Sequence, residues 1–386
     1  MLSDLGRGAG TVNGFQGSKV VTRIDRLDAL RGIAALLVVW QHTSESFVRI
    51  PGVADKGTWL ADVAWSVDFG RIGVVCFFLI SGFIIPHSFS AGAGAVKKFA
   101  VRRFFRLYPV YWFSIFLAVF TGAIFVGKQW TISEIGTNLT MFQSLLGMPH
   151  IQGLYWTLQV ELVFYILCGF LFYIGKMHDG RFLTVLAVVF LSVFVGQKLL
   201  EKMFGYQSSL SPEHQYIPYL LAIMLCGTIL REVLFGTHTT ATKLFFLMAP
   251  ATVFGLPALA LMLHAAGVNL VDQPIRFGAA HLIALGVFCM AIGFHWRVPA
   301  MLAWSGVVSY SVYLFHPVAM TVVHWLRHQT WASFTGDWAL WGYMAVAITL
   351  TMVIAIATYY LIERPAIEAG RRLSRNSVDK DLAAVA

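Results

Sequence analysis

Arg26-Leu27-Asp28-Ala29-Leu30-Arg31-Gly32, the apolar run Ile33 to Trp40, and then Gln41-His42 form the stretch whose reading decides the fold. It reads as a membrane helix with charge at its mouth and a histidine deep inside. Arg31 and His42 stand eleven residues apart. That is about three helical turns, so both side chains share one face, about 16 Å apart along the axis. Asp28 and Glu45 extend the same face, each three residues further out. An ionisable group facing hydrocarbon costs several kcal/mol, so this stripe must face protein or a wet cavity.

The rest of the chain agrees. Of its 386 residues 58% are hydrophobic and 12% charged, with a mean hydropathy of +0.71, whereas soluble domains carry about 25% charged residues. The expected fold is all-α, a polytopic integral membrane helical bundle. About ten stretches have the roughly 20 apolar residues that a crossing needs: Leu27–Phe47, Val67–Pro86, Tyr108–Val126, Trp156–Gly175, Phe182–Leu200, Ile217–Phe235, Phe245–Ala266, Phe277–Phe294, Met301–Val323 and Trp338–Leu361. Pro250 and Pro257 weaken the seventh. Ten crossings put both termini on one side. Most of the 28 Lys and Arg residues fall on that side; Arg49, Lys56, Arg71, Lys128, Lys198, Lys202, Arg276 and Arg327 fall on the other. The excess places both termini in the cytoplasm. The net charge of +9 is accounted for by this orientation, and no nucleic acid partner is inferred from it.

Residues 1–24 read as a cytoplasmic N-terminal segment, 25–366 as the transmembrane domain, and 367–386 as a cytoplasmic tail, charged and expected to be disordered after Glu368. No apolar core marks a cleaved leader in residues 1–22, so the first spanning helix is expected to direct insertion. Cys76, Cys168, Cys226 and Cys289 each lie in an apolar run without a CxxC pair and read as small buried hydrophobes. His324 and His328, four residues apart, lack the glutamate of an HExxH helix and read as interfacial; no metal is proposed.

Polar residues inside the spans are the candidate functional groups. The most basic stretch, Lys97 to Arg106, puts Arg102 and Arg106 on one helical face with Arg103 beside them. It suits an anchor on anionic lipid. It equally suits a site for a phosphorylated cytosolic ligand, because arginine forks match phosphate oxygens. Counting inward from the outer ends of their spans places both His42 and Glu161 about 8 Å deep. At one level, Glu161 would orient or charge-pair His42. His316 precedes Pro317, which removes the hydrogen bond to the Tyr313 carbonyl and kinks the helix. With Ser81 and Tyr310, these groups trace a polar column from the basic stretch to the His42 level.

These residues leave two classes open. One is a membrane-embedded enzyme with a histidine base, a hydroxyl acceptor and a phosphorylated donor. The other is a proton- or substrate-coupled membrane transporter in which the same residues form the path. GxSxG and P-loop patterns are absent, and so is an evident internal repeat.

Taken together, the motifs resemble the membrane acyltransferase 3 family, which includes bacterial sugar and polysaccharide O-acyltransferases. The opening stretch, with Arg31, ten residues and His42, is similar to the family's opening. Gly73-Val74 through Phe77-Phe78-Leu79-Ile80-Ser81-Gly82-Phe83 resembles its second-span signature. Arg103-Phe104-Phe105-Arg106-Leu107-Tyr108-Pro109 resembles its RxxR element. Trp156-Thr157-Leu158 with Val160-Glu161 and Phe164-Tyr165 resembles the fourth-span signature. Ser309-Tyr310-Ser311-Val312-Tyr313-Leu314-Phe315-His316 and Ile362-Glu363-Arg364-Pro365 resemble the late elements. Many members carry an acid after the second-span Gly-Val, where this chain has Val75. The role of that acid is absent here or has moved to Asp68, which also stands three residues from Arg71 and can pair with it.

The resemblance implies an O-acyltransferase of the bacterial cytoplasmic (inner) membrane. It would move an acyl group, commonly acetyl, from acetyl-CoA or another acyl-CoA to a hydroxyl of a carbohydrate or glycolipid. No cofactor would be bound; acyl-CoA is a donor substrate, and the acceptor and membrane lipids are the other partners. Arg31, Arg102, Arg103 and Arg106 would hold the donor. His42 would act as base or carry the acyl group, with Glu161 as its partner. Asp28, Ser81, Tyr310 and His316 would line the path.

Overall fold

Apolar runs bounded by glycine, proline and charged residues fold into thirteen α-helices, with no strand among the described residues. The computed structural model describes residues 14–383 apart from 51, 54–58, 91, 93, 206, 207, 209, 270, 295 and 296, and side chains from 25 to 375 apart from 212. The expected N-terminal segment 1–24 therefore lies outside the described residues up to 13, and its side chains lie outside throughout.

In chain order the helices are α1 (Gly14–Val48), α2 (Trp59–Ser66), α3 (Phe69–Ile84), α4 (Ala95–Thr121), α5 (Ile132–Asn138), α6 (Tyr155–Tyr173) and α7 (Gly180–Phe204). There follow α8 (Pro212–Phe235), α9 (Thr240–Ala265), α10 (Pro274–Gly293), α11 (Ala300–Arg327), α12 (Leu340–Thr358) and α13 (Arg364–Ala383). Among the described residues, nine helices are long and apolar enough to cross a membrane. They coincide with the second to tenth expected spans. Val185, Val189 and Val193 repeat every four residues along α7 and are all exposed, as a lipid-facing stripe requires. Cys289 departs from expectation: it is exposed on α10, while the other three cysteines are buried.

The remaining expected span, α1, is not among those nine, because its apolar run is short and flanked by charge. Protein surrounds it instead: α1 packs against α3, α10, α11 and α12. A polar stripe is tolerated there because it does not meet lipid. The contact with α11 depends on glycine. A Cβ on Gly306 would lie 1.8 Å from the Asp28 carbonyl oxygen, and one on Gly32 would lie 1.8 Å from Ser305 Oγ. The two backbones touch at the turn of α1 that carries Asp28 and Arg31, both of which line the cavity beside α11.

Two expectations change. The basic stretch, expected outside the third span, forms the first turns of α4 and runs unbroken into that span, which ends in a π turn at Gly122–Val126. The tail beyond Glu368 is helical through Ala383 rather than disordered. A π turn at Tyr359–Glu363 joins α12 to α13, and α13 packs along α4. There Arg102 Nε donates to Ser374 Oγ at 3.0 Å. Charged sequence did not prevent order because one face of α13 has a partner.

The segment between α4 and α6 sets the depth of α6. It turns back along α4: Tyr111 Oη donates to the Asn138 carbonyl at 2.7 Å, and Trp112 Nε1 to the Leu139 carbonyl at 2.9 Å. Helix α6 then begins beside Ser114, whose Oγ lies 2.9 Å from Tyr155 Oη. That is about 18 Å short of the far end of the Ala95–Val126 rod.

Candidate active site

The opening stretch, the inner half of α3, the first turns of α4, and α6, α11 and α13 enclose one cavity of about 450 Å³ at the basic end. Sites for small ligands commonly span about 300–1,000 Å³. Asp28 and Arg31 enter from α1, Ser81 from α3, and Arg102, Arg103 and Arg106 from α4. Glu161 and Tyr165 enter from α6, and Tyr310 and Tyr313 from α11. Eight of the ten residues singled out from the sequence thus meet in one place.

Each arginine is held differently. Arg103 Nη2 donates to Ser88 Oγ at 2.6 Å, and its guanidinium lies over the rings of Phe99 and Tyr165 at 5.2 and 5.3 Å. Arg106 Nη1 stands 3.1 Å from Glu363 Oε1. Glu363 is fully buried, and its other oxygen accepts from Ser311 Oγ at 2.6 Å. Arg31 Nη1 lies 3.9 Å from Asp28 Oδ1 on its own helix. Arg371 adds a further guanidinium from α13. With Asp28, Glu161 and the buried Glu363 set against five arginines, the cavity stays positive and fit for an anion.

At the far end the lining turns from cationic to hydroxylic. Tyr310 Oη donates to the Leu107 carbonyl at 3.0 Å, tying α11 to α4. Tyr313 Oη lies 2.5 Å from Thr157 Oγ1. Beyond this pair stand the two histidines. The His316 ring is 6.0 Å from the Tyr313 ring and stacks on His42 at 5.2 Å, with the planes 25° apart. His316 is buried, whereas His42 is exposed. Neither lines the cavity.

Pro317 gives His316 its orientation. Proline has no N–H for the Tyr313 carbonyl, and His316 Nδ1 donates to that carbonyl instead, at 2.7 Å. A carbonyl only accepts, so the proton is on Nδ1, and Nε2 of the neutral ring keeps its lone pair.

Glu161 does not sit where the depth argument puts it. It accepts from Tyr165 Oη at 2.6 Å and faces the cavity with Arg31. The depth argument started α6 at the outer surface, but the returning segment starts it further in. Thr157 is level with Tyr313, and Glu161 lies about 6 Å inward of it, one helical turn. At the other end of the stripe, Glu45 is held by Arg276 of α10 at 2.9 Å. Asp68 caps α3, accepting from the Arg71 N–H at 2.8 Å and pairing with its guanidinium at 3.4 Å. Sequence reasoning gave Glu363 no role beyond its motif. A carboxylate at the end of an apolar run, directly before a charged helix, was the signal that could have marked it.

Fold and site together define a helical, membrane-embedded protein with an arginine-lined cavity at its basic end and a histidine pair beyond it. Residues 24–360 match the family model described as acyltransferase domain, and the chain belongs to that acyltransferase 3 family. It is an integral bacterial membrane acyltransferase. Nodulation protein 10 of Rhizobium leguminosarum bv. viciae is 25% identical over 91% of this chain and 96% of its own length. The exopolysaccharide production protein ExoZ of Rhizobium meliloti is 25% identical over 78% of this chain and 91% of its own. The peptidoglycan O-acetyltransferase OatA of Listeria monocytogenes is 24% identical over 89% of this chain, which covers 55% of that longer protein. No solved structure matches the chain.

Proposed function

We propose that the protein transfers an acetyl group from cytosolic acyl-CoA to a hydroxyl of a carbohydrate or glycolipid. The observation that carries this reading is the cavity itself, with arginines at its basic mouth and the Tyr313–His316–His42 line at its far end. The names of the relatives, an exopolysaccharide production protein and a peptidoglycan O-acetyltransferase, support a carbohydrate acceptor.

In this reading Arg102, Arg103 and Arg106 hold the phosphates of the donor, and Arg31 holds its inner end. The thioester arm lies along the cavity past Ser81 and Tyr310, with Glu161 and Asp28 fixing the charge of the lining. The Tyr313–Thr157 pair separates the arm from the histidines. Along α11, Tyr313 and His316 differ by only about 4.5 Å in rise, so parting that pair brings the carbonyl to the histidine level. His42, open on the far side, receives the acceptor. Its imidazole takes the hydroxyl proton, the oxygen attacks the thioester carbonyl, the C–O bond forms, and the C–S bond breaks. The thiolate leaves and is protonated at the cavity.

The test is release of free CoA by protein purified in detergent, given acetyl-CoA and a panel of carbohydrate acceptors, for wild type beside His42→Ala and Arg103→Ala. The reading expects release by wild type, loss with His42→Ala, and a raised KM for acetyl-CoA with Arg103→Ala. If folded wild type releases none while vesicles show acceptor flux, the reading fails in favour of transport. Release by His42→Ala at the wild-type rate removes His42 from the chemistry.

A further inference from the structure

We infer that the protein carries a structural site for a divalent transition metal of the zinc class at its basic end, apart from the acyl-transfer cavity. Its core ligands are His87, His178 and Glu232, with His238 beside Glu232 as the fourth. They come from four separate segments: the turn Ile85–Ser88 after α3, the α6–α7 connection, the last turn of α8, and the α8–α9 connection. Glu232 sits at the centre. One of its oxygens is 3.3 Å from His87 Nε2 and 3.5 Å from His178 Nδ1; the other is 3.7 Å from His238 Nε2. The ligand atoms of His87, His178 and Glu232 all lie within 4.8 Å of one another.

Three features separate this group from an ordinary surface ion pair. The first is distance. Zinc binds imidazole nitrogen and carboxylate oxygen at about 2.0–2.1 Å, so neighbouring ligand atoms of a tetrahedral site stand about 3.3 Å apart. The separations about Glu232 are already close to that edge. The second is charge. The nearby cations are committed elsewhere: Lys176 Nζ to Asp179 at 2.8 Å, and Arg231 to the Phe83 carbonyl at 2.9 Å. One carboxylate thus faces three neutral-capable imidazoles, a donor set of nitrogen and oxygen that suits zinc, cobalt or nickel. The third is accommodation. A Cβ on Gly236 would lie 2.5 Å from His238 Cδ2 and 2.6 Å from its Nε2. Glycine there lets the chain fold the His238 ring back over the end of α8.

His87, His178 and Glu232 supply three ligand atoms within mutual reach; the His238 ring, 3.7 Å from the other Glu232 oxygen, would swing in as the fourth, and such a closed sphere marks a structural rather than a catalytic metal. The ion would tie the inner end of α3 to α8 and to the α6–α7 and α8–α9 connections. His87 adjoins Ser88, which holds Arg103, so the brace lies directly beneath the arginine side of the cavity.

The experiment uses full-length protein in detergent, purified through a histidine-free tag and stripped with chelator. Zinc is then added and bound metal measured by elemental analysis; cobalt(II) replaces zinc to read geometry from its visible spectrum. Wild type should take up one equivalent, with the intense visible bands of tetrahedral cobalt, and zinc should raise its thermal midpoint. Loss of even an outer-shell partner weakens metal sites by about 10–100-fold. His178→Ala, at the most exposed ligand, should weaken binding at least about tenfold while leaving the fold intact. Glu232→Gln with His87→Ala should abolish binding, and the control pair His324→Ala/His328→Ala should not change it. The inference is overturned if folded wild type takes up no metal, or if His178→Ala and the Glu232/His87 variant bind as wild type does. Acyl transfer plays no part in these readouts, so failure here is distinct from failure of the proposed reaction.

Discussion

Arg106→Ala should damage the protein twice, once through the donor site and once through what it leaves behind. Glu363 is fully buried and has two partners, Arg106 Nη1 at 3.1 Å and Ser311 Oγ at 2.6 Å. At that separation and an effective dielectric constant of about 20, the ion-pair attraction is about 5 kcal/mol. Removing one member of a buried pair typically costs about 3–5 kcal/mol, because the other charge stays buried and uncompensated. Arg106 retains 23% side-chain exposure, so the stranded member is the glutamate. The single variant should therefore show a clearly lowered thermal midpoint in detergent and a reduced level in membranes. Adding Glu363→Gln removes the stranded charge and keeps an oxygen for Ser311. The double variant should recover at least about half of the lost stability, a coupling well above the few tenths of a kcal/mol expected of independent sites. Its KM for acetyl-CoA should stay raised, because the guanidinium is still missing. Thermal unfolding followed by size-exclusion chromatography reads the first quantity, and initial rates read the second. If Arg106→Ala is as stable as wild type, or if the two substitutions destabilise additively, the buried pair does not hold Arg106 and the reasoning fails.

Other outcomes follow from the same geometry. His42→Ala should lose about 10²–10⁴-fold in acyl transfer at normal protein level, the usual contribution of a general base; a loss below about tenfold would remove it from that role. Pro317→Ala restores an N–H that competes with His316 for the Tyr313 carbonyl. An orienting hydrogen bond is worth about 1 kcal/mol, so kcat should fall about fivefold with little change in KM, and an unchanged rate would mean that the orientation of His316 does not matter. Gly306→Ala places a methyl group where Asp28 has its carbonyl oxygen. Overpacking costs typically about 1–3 kcal/mol and more against backbone, so this variant should accumulate poorly in membranes, and wild-type levels and thermal midpoint would contradict the close α1–α11 contact.

Much of this architecture is legible in the chain because the membrane makes polar residues rare and therefore informative. Asp28, Arg31, Ser81, Arg102, Arg103, Arg106, Glu161 and Tyr310 stand out against apolar surroundings, and the fold gathers all of them around one cavity. What stayed hidden depends on three-dimensional return paths. The pairing of Glu161 with His42 fails on depth, since hydropathy cannot see the segment after α4 turning back to start α6 beside Ser114. The order of α13 is invisible because it comes from a partner, α4, far away in sequence. The group around Glu232 has no local spacing at all: His87, His178 and His238 become neighbours only when α3, α6 and α8 end at the same level.

The polar stripe of α1 has a consequence for biosynthesis. Charged residues near the middle of a segment each oppose insertion by about 2.5–3.5 kcal/mol, and α1 carries Arg31, His42 and Glu45 on either side of a short apolar run. The helix that it packs against most closely, α11, starts only at Ala300, after seven intervening spans. Until then the face of α1 that meets Ser305 and Gly306 lacks its partner. Asp28 and Arg31 meet Tyr310 and Tyr313 only once the ninth span has joined the first, so the cavity is closed by helices far apart in the order of synthesis.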